Sequence, residues 1–125
     1  MASVEMTKEN FEEIVTKNDM VIVDFWAEWC GPCKAFGPIF EKVSEQHEDV
    51  VFAKVDTDNQ RELAMSFQIQ SIPTLMIFRE KIVIFSQPGM LPEKAFAEIV
   101  DKAKALDMEE VKKEVAKQQE TQQEG

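Results

Sequence analysis

The sequence contains few cysteines and lacks long apolar runs. Its only 2 Cys among 125 residues lie within positions 30–33. Two Cys so close together cannot join distant parts of a fold, which excludes a structural disulfide framework. The longest apolar runs, such as 75–78, have four residues, whereas about 20 are needed to cross a bilayer. We therefore expect no membrane-spanning segment.

Basic charge is also scarce. The 14 Lys and Arg stand against 24 Asp and Glu, for a formal charge of −10, and binding to a phosphate backbone requires clustered basic residues. No nucleic-acid partner is therefore expected. The first ten residues show no basic stretch followed by an apolar one, so we expect no secretory signal and a cytoplasmic protein. The length and a hydrophobic fraction of 44% suit one domain with one core.

Hydrophobic periodicity and turn residues predict alternating helices and strands over residues 1–106. The predicted elements are a helix of about ten residues capped by Thr7, a strand over 20–26, a helix over 33–47 kinked at Pro38, a strand over 50–55, a short helix capped by Asp58 or Asn59, strands over 74–78 and 82–85, and a helix with Pro92 at its first position. This order predicts an α/β fold of three layers, with helices on both faces of a four- or five-stranded mixed sheet.

Residues 107–125 differ from the rest of the chain. They carry six acids and three bases and are rich in Gln towards their end. Asp107 and Glu110 resemble a capping box, and Met108, Val111 and Val115 form a thin apolar stripe. We interpret this segment as a helical extension that frays into disorder, outside the domain of residues 1–106. A docking or dimerising helix is the alternative, and an apolar edge strand over 82–85 would be a second route to self-association. A monomer is otherwise expected.

The two cysteines form a Cys-x-x-Cys motif at a predicted strand-to-helix junction. This places Cys30 at the helix N-terminus, where free N–H groups and the helix dipole favour the thiolate. A thiolate is the nucleophile of thiol–disulfide exchange, so Cys30 is predicted to attack a target disulfide. Cys33, one turn further on and predicted to be more buried, would resolve the mixed disulfide. Gly31 permits the turn, and Pro32 in the first helical turn loses no hydrogen bond.

Two other interpretations of the cysteines stay open at this point. A zinc site requires about four ligands, and the only other soft candidate is His47, a full helix away. Two incidental thiols are the second alternative, although the turn residues between an apolar strand and an apolar helix favour redox exchange.

Residues 23–34, which contain Trp-Cys-Gly-Pro-Cys, are similar to the active-site segment of the thioredoxin family. The likeness extends over roughly residues 6–106, and the triplet Ile72-Pro73-Thr74 supports it independently. It implies the thioredoxin fold and a protein disulfide reductase that contributes to cell redox homeostasis without a bound cofactor or metal. The implied partners are disulfide-containing proteins as substrates and an NADPH-dependent thioredoxin reductase as electron donor.

The resemblance also implies roles for individual residues. Cys30 matches the attacking thiol, Cys33 the resolving thiol, and Pro73 the cis-proline that holds a substrate chain beside the disulfide. The implied apolar contact surface for substrates consists of Trp29, Gly31, Pro32, Ile72, Pro73, Gly89 and Met90. Simple core packing is the alternative for Trp29 and Ile72.

Asp24 interrupts an apolar strand, so it is either buried or on an edge strand. A buried carboxylate has a raised pKa and exchanges a proton near neutrality. In the family the matching residue accepts the proton of the buried thiol. Lys54, in the next strand, matches a lysine near that carboxylate and would tune it. The alternatives are a structural ion pair and, for Lys54, an ordinary strand lysine with its head in solvent.

Several positions depart from the family pattern. The hairpin Arg79-Glu80-Lys81 has no residue that easily adopts positive φ, so a turn of another type is expected. Pro88 removes an N–H beside the substrate groove, and Thr57 and Ser71 replace residues that are usually apolar or Gly. These changes leave two alternatives to a general reductase: a binding module that uses its redox state as a switch, and a dedicated donor to one enzyme.

Overall fold

The structure is a computed structural model that describes the backbone of residues 2–124 and the side chains of residues 2–120. Its elements in chain order are β1 (Val4–Glu5), α1 (Phe11–Lys17), β2 (Met20–Trp26), α2 (Gly31–Glu45), β3 (Val51–Asp56), α3 (Arg61–Ser66), β4 (Thr74–Arg79), β5 (Ile82–Pro88), α4 (Glu93–Ala105) and α5 (Met108–Glu124). No helix in the described part of the chain has the length and apolar character needed to cross a membrane.

The five strands form one mixed sheet in the order β1-β3-β2-β4-β5. The first three are parallel, whereas β4 runs antiparallel to β2 and β5 antiparallel to β4. This confirms the predicted mixed sheet. The strand β1 is an addition, because two residues are too short to show any periodicity. The central strand β2 is buried along nearly its whole length.

Helices cover both faces of the sheet, as the three-layer prediction requires. One face packs against α2 and α4 through a cluster of aromatic rings, which includes Phe36, Phe40, Phe52 and Phe96. The other face packs against α1 and α3 through Val21, Val23, Phe25, Val15 and Leu63. Because side chains alternate along a strand, Asp24 belongs to the same face as Ile22, beneath α2 and α4.

The prediction that Thr7 caps the first helix was wrong, since α1 begins at Phe11. The Thr7 hydroxyl accepts a hydrogen bond from the Asn10 N–H at 3.2 Å, and the Asn10 side chain accepts one from the Thr7 N–H at 2.7 Å. These reciprocal bonds close a turn that runs directly into the helix, because the Phe11 N–H donates to the Thr7 carbonyl at 2.9 Å. Thr7 therefore organises the turn that leads into α1, while Asn10 is the N-cap.

The prediction that Asp58 or Asn59 caps the third helix was also wrong, because α3 begins after Gln60. The carboxylate of Asp56, the last residue of β3, accepts hydrogen bonds from the N–H groups of Asp58 at 3.0 Å and Asn59 at 3.4 Å. The N–H groups of Asp58 and Asn59 are thus bonded within the turn that follows the strand, before the helix starts.

The two long helices begin close to their predicted starts. Helix α2 begins at Gly31, two residues earlier than expected, because Cys30 is its N-cap, and Pro38 lies within it. Helix α4 begins at Glu93, and Pro92 is the N-cap instead of the first helical residue because its ψ of 153° is extended.

The hairpin between β4 and β5 differs from the expectation. Glu80 and Lys81 have φ values of 50° and 72°, so this two-residue loop adopts two consecutive positive φ angles despite having no Gly or Asn. Such turns match the twist of the adjoining strands. This match outweighs the preference of Glu80 and Lys81 for negative φ. The Glu80 N–H donates to the Asp19 carbonyl at 2.7 Å, and the Glu80 carboxylate pairs with Lys112 of α5.

Helix α5 begins beside a side-chain cap. The Asp107 carboxylate accepts hydrogen bonds from the N–H groups of Glu109 at 3.0 Å and Glu110 at 3.4 Å. Met108 is buried, while Val111 and Val115 are half-buried. The extension is helical through Glu124, and Gly125 lies outside the described residues. The division of the chain at residue 106 stays a prediction.

Candidate active site

The start of α2 brings the two cysteines together. Strand β2 ends at Trp26, and a short loop follows in which the Cys30 N–H donates to the Ala27 carbonyl at 3.2 Å. Cys30 is the N-cap, and its sulfur accepts a hydrogen bond from the Cys33 N–H at 3.2 Å. The Cα atoms of the two cysteines are 5.2 Å apart, and their sulfurs are joined as a disulfide.

The expectation that Cys33 is more buried than Cys30 was wrong for this disulfide form. Both residues are only 4% exposed. The pair packs with Ala27, which is completely buried, and with Trp26 and Ile72. Ala27 is a wall of the site that the sequence analysis overlooked, although a small residue between the apolar strand and the motif was a usable signal.

The loop before β4 forms the second side of the site. The Ile72–Pro73 peptide bond is cis, as the resemblance implied. The carbonyl oxygen of Ile72 lies 3.8 Å from the Cys30 sulfur. Gly89 follows β5 with a φ of 98°, a conformation that favours glycine, and its N–H donates to the Pro73 carbonyl at 2.8 Å.

Exposed apolar groups surround the disulfide. Trp29 is 71% exposed and Met90 is 43% exposed, so core packing is excluded for Trp29, while Ile72 is half-buried. The Trp29 indole N–H donates to the Asp58 carboxylate at 3.0 Å. Asp58 was not predicted as a site residue, because only the fold brings it to Trp29. The remaining predicted contact residues on the outside are Gly31, Pro32 and Gly89.

The three positions that depart from the family pattern do not all reach the site. The Thr57 N–H and hydroxyl both donate to the Trp26 carbonyl, at 2.9 and 3.1 Å, so this side chain is occupied by the backbone. Ser71 is exposed directly before Ile72, and Pro88 is exposed opposite Thr74 in the sheet register. Ser71 and Pro88 are therefore the two departures that lie next to the cis-proline loop.

Asp24 lies in the buried part of the central strand. It is 0% exposed, and among the described residues neither carboxylate oxygen has a hydrogen-bond partner. Burial removes water from the ionised form and raises the pKa of Asp24 to about 7, against a smaller lowering by the charge of Lys54. The edge-strand alternative is excluded, because β2 is flanked by β3 and β4.

Lys54 is the sheet neighbour of Asp24 but makes no direct ion pair with it in the described part of the chain. Its ammonium lies 4.7 Å from the centre of the Trp26 ring, within the range of a cation–π contact. A structural ion pair therefore does not explain the two residues. Lys54 acts on Asp24 through space.

His47, the residue on which a zinc site would depend, lies beyond the far end of α2. This 15-residue helix separates it from the cysteines by about 22 Å. Its ring packs near Phe52, and its Nδ1 is 3.1 Å from the Lys104 ammonium. Within the described residues no three His, Cys, Asp or Glu side chains are grouped to hold a metal. The cysteine pair therefore has no further ligand beside it.

Comparisons with known proteins agree with this geometry. The thioredoxin family model matches residues 2–102. The chain is 58% identical over 118 residues to a putative thioredoxin 2 of Streptomyces coelicolor, covering 94% of this chain and 88% of that protein. It is 36% identical over 103 residues to a thioredoxin of Bacillus subtilis, covering 82% and 98%. The solved structure of a mutant thioredoxin from Halobacterium salinarum superposes with a TM-score of 0.77 at 28% identity, covering 84% of this chain and 92% of that one.

Proposed function

The chain belongs to the thioredoxin family and is a protein-disulfide reductase that works by thiol–disulfide exchange, and from this premise we propose how its residues divide the reaction. The proposal rests chiefly on one observation. The Cys30 sulfur sits at the N-terminus of α2 and accepts the Cys33 N–H. That environment stabilises a thiolate once the disulfide has been reduced.

In the first step the Cys30 thiolate attacks one sulfur of a substrate disulfide. A mixed disulfide forms between Cys30 and the substrate, and the second substrate sulfur leaves as a thiolate. The Cys33 N–H, which already points at the Cys30 sulfur, holds the attacking anion before this step. No bound cofactor takes part in the exchange.

In the second step Cys33 resolves the mixed disulfide. Its thiol transfers a proton to the Asp24 carboxylate, and the resulting thiolate attacks the Cys30 sulfur. The Cys30–Cys33 disulfide forms, and the first substrate sulfur leaves, so two electrons have passed to the substrate. A pKa of about 7 keeps a large share of Asp24 ionised and able to accept a proton near neutral pH. Lys54 limits how far burial raises that pKa.

The substrate chain binds on the exposed apolar surface around the disulfide. Trp29 and Met90 supply exposed apolar area, and the cis-proline loop lies beside the Cys30 sulfur. This surface consists of Trp29, Gly31, Pro32, Gly89 and Met90, together with half-buried Ile72 and with Pro73, which is itself buried. An extended substrate segment fits here, because Ile72 presents its backbone carbonyl beside the Cys30 sulfur and an apolar surface.

The reduced form is regenerated by an NADPH-dependent thioredoxin reductase, so the protein serves electron transport and cell redox homeostasis. A cytoplasmic location follows from the need for a compartment in which protein thiols stay reduced. The protein acts as a monomer through a domain of residues 1–106, and the acidic extension of residues 107–125 takes no part in the exchange.

The rate of reduction of a generic protein disulfide, under excess small-thiol reductant, tests the assignment of the cysteines. Cys30→Ser should abolish turnover, whereas Cys33→Ser should trap a mixed disulfide with the substrate. Retained turnover in Cys30→Ser would overturn the proposal. Slow turnover with both thiols intact would favour the alternatives of a binding module or a dedicated donor, for which Ser71 and Pro88 beside the groove are the relevant residues.

A further inference from the structure

A row of charged residues crosses three adjacent strands beside the active site. In the sheet register Glu5 of β1 pairs with Lys54 of β3, and Lys54 pairs with Asp24 of β2. Side chains at paired positions of neighbouring strands point to the same face of a sheet. Lys54 therefore lies between two acids, with Glu5 on one side and Asp24 on the other. The reaction described above has no role for Glu5.

The backbone at Glu5 is firmly held although β1 has only two residues. The Met6 N–H donates to the Lys54 carbonyl at 2.8 Å, and the Met6 side chain is 1% exposed. The Asn10 side chain donates to the Glu5 carbonyl at 3.0 Å, and the Ser3 hydroxyl bonds to Glu41 of α2. Contacts on both sides of Glu5 thus fix its place next to Lys54.

The Lys54 ammonium, by contrast, is not held by an ion pair with any described residue. It stands over the Trp26 ring and 3.9 Å from the point where a Cβ on Gly37 would lie. Lys54 also lines a cleft of about 300 Å³, together with Ser3, Val4, Glu5, Trp26 and Asp56. Glu5, which is exposed, and Lys54 therefore border one water-accessible space.

Four acids lie on the elements packed around Lys54. Asp24 comes from β2, Glu5 from β1, Asp56 from two positions further along β3, and Glu41 from one turn after Gly37 on α2. One Glu41 oxygen is buried without a hydrogen-bond partner, and the other is occupied by Ser3. Of the four, Glu5 lies across Lys54 from Asp24 in the strand order, so the two carboxylates attract the Lys54 side chain towards opposite neighbouring strands.

We propose that Glu5 is a positioning residue for Lys54: its carboxylate draws the ammonium towards the cleft and away from Asp24, and thereby keeps Asp24 protonated to a higher pH. The effect of Glu5 on turnover rests on the proposed role of Asp24 as proton acceptor. The coupling itself does not depend on that role, because it is a property of the disulfide form at equilibrium.

The pKa of Asp24 in the disulfide form measures this coupling directly. We would follow the side-chain ¹³C carboxyl shift of labelled aspartate against pH in the full chain. Glu5→Gln should lower the Asp24 midpoint by about half a pH unit, because the ammonium then moves towards Asp24. Lys54→Met should raise the midpoint, since it removes the positive charge that opposes the effect of burial.

Two further variants distinguish an effect of Glu5 through Lys54 from the effect of removing one negative charge anywhere on the protein. In the Lys54→Met background, Glu5→Gln should produce no further fall, because the residue it acts through is gone. Glu12→Gln removes the same charge from α1 on the other face of the sheet and should leave the midpoint unchanged.

An unchanged midpoint in Glu5→Gln would overturn the proposal. An equal fall in the Lys54→Met background, or an equal fall in Glu12→Gln, would do so as well. The titration involves no turnover, so its failure is distinct from retained activity in Cys30→Ser, which would overturn the proposed reaction.

Discussion

The two ends of the sheet differ in whether their buried polar side chains have hydrogen-bond partners. At the end that carries the disulfide, Asp24 is completely buried and neither of its oxygens has a hydrogen-bond partner among the described residues. At the other end Arg79 is 8% exposed, and its guanidinium donates to the Ala103 carbonyl at 2.6 Å and pairs with Asp19 at 3.3 Å. Strands β2 and β4 connect the two ends.

This difference indicates that the end with Arg79 contributes to stability and the end with Asp24 contributes to the reaction. A paired buried group stabilises the fold, whereas an unpaired one costs free energy and is tolerated where a reaction uses it. At the far end Arg79 joins the end of β4 to the last turn of α4 and to the residue before β2. At the site end the unpaired carboxylate of Asp24 provides a proton acceptor.

The largest effect is expected from removing the unpaired charge of Asp24. Its folded pKa of about 7 lies above the ordinary 3.8. The contribution of Asp24 to wild-type stability therefore falls as pH rises from 3.8 to 7, because the carboxyl group ionises first in the unfolded chain. The stability of Asp24→Asn relative to wild type should increase by about 2–3 kcal/mol between pH 5 and pH 8. Urea unfolding at the two pH values measures this change, and a difference independent of pH would contradict the raised pKa.

A smaller effect of the opposite sign is expected at the far end. Arg79→Met keeps an apolar stem but leaves the Ala103 carbonyl without its side-chain donor, so unfolding free energy should fall by about 2 kcal/mol. Turnover should stay at the wild-type level, because no site residue contacts Arg79. Lys94→Met, on the exposed side of α4, is the matched control and should change neither quantity. A folded Arg79→Met protein that has lost turnover would contradict the conclusion that this end of the sheet contributes to stability alone.

The smallest effect is expected in the hairpin at the far end. Lys81 has a φ of 72°, which disfavours residues with a side chain. Lys81→Gly relieves this strain but makes the unfolded chain more flexible, so the net gain in stability should be about 0.5 kcal/mol. Lys94→Gly, in α4, should instead lose about 1 kcal/mol. Thermal unfolding compares the two variants, and a loss in Lys81→Gly would contradict the strained turn.

The active-site end was the more predictable part of the molecule. The Cys-x-x-Cys motif falls between an apolar strand and an apolar helix, and Asp24 breaks that strand. Both signals are local, so no knowledge of distant contacts was needed to place Cys30 at the start of α2. The apolar neighbours at 20–26 left Asp24 either buried or on an edge strand, and the strand order decided between the two.

The features that could not be predicted depend on contacts between distant residues or on competition between nearby ones. Strand β1 is held by the backbone of β3, and Asp58 meets Trp29 only in the fold. The start of α3 depends on the Asp56 carboxylate, which occupies the N–H groups that precede the helix. The hairpin at Glu80 follows the twist of two strands and not its own residue preferences.

The pH dependence of the second step tests whether Asp24 accepts the Cys33 proton. A mixed disulfide between Cys30 and a small chromogenic thiol would be prepared, and thiol release would be followed from about pH 5.5 to 8.5 in wild type and Asp24→Asn. The account predicts a wild-type rate that rises with a midpoint near pH 7, and a slower variant in which that midpoint is absent. Identical rates and profiles in the two proteins would show that Asp24 does not accept the Cys33 proton.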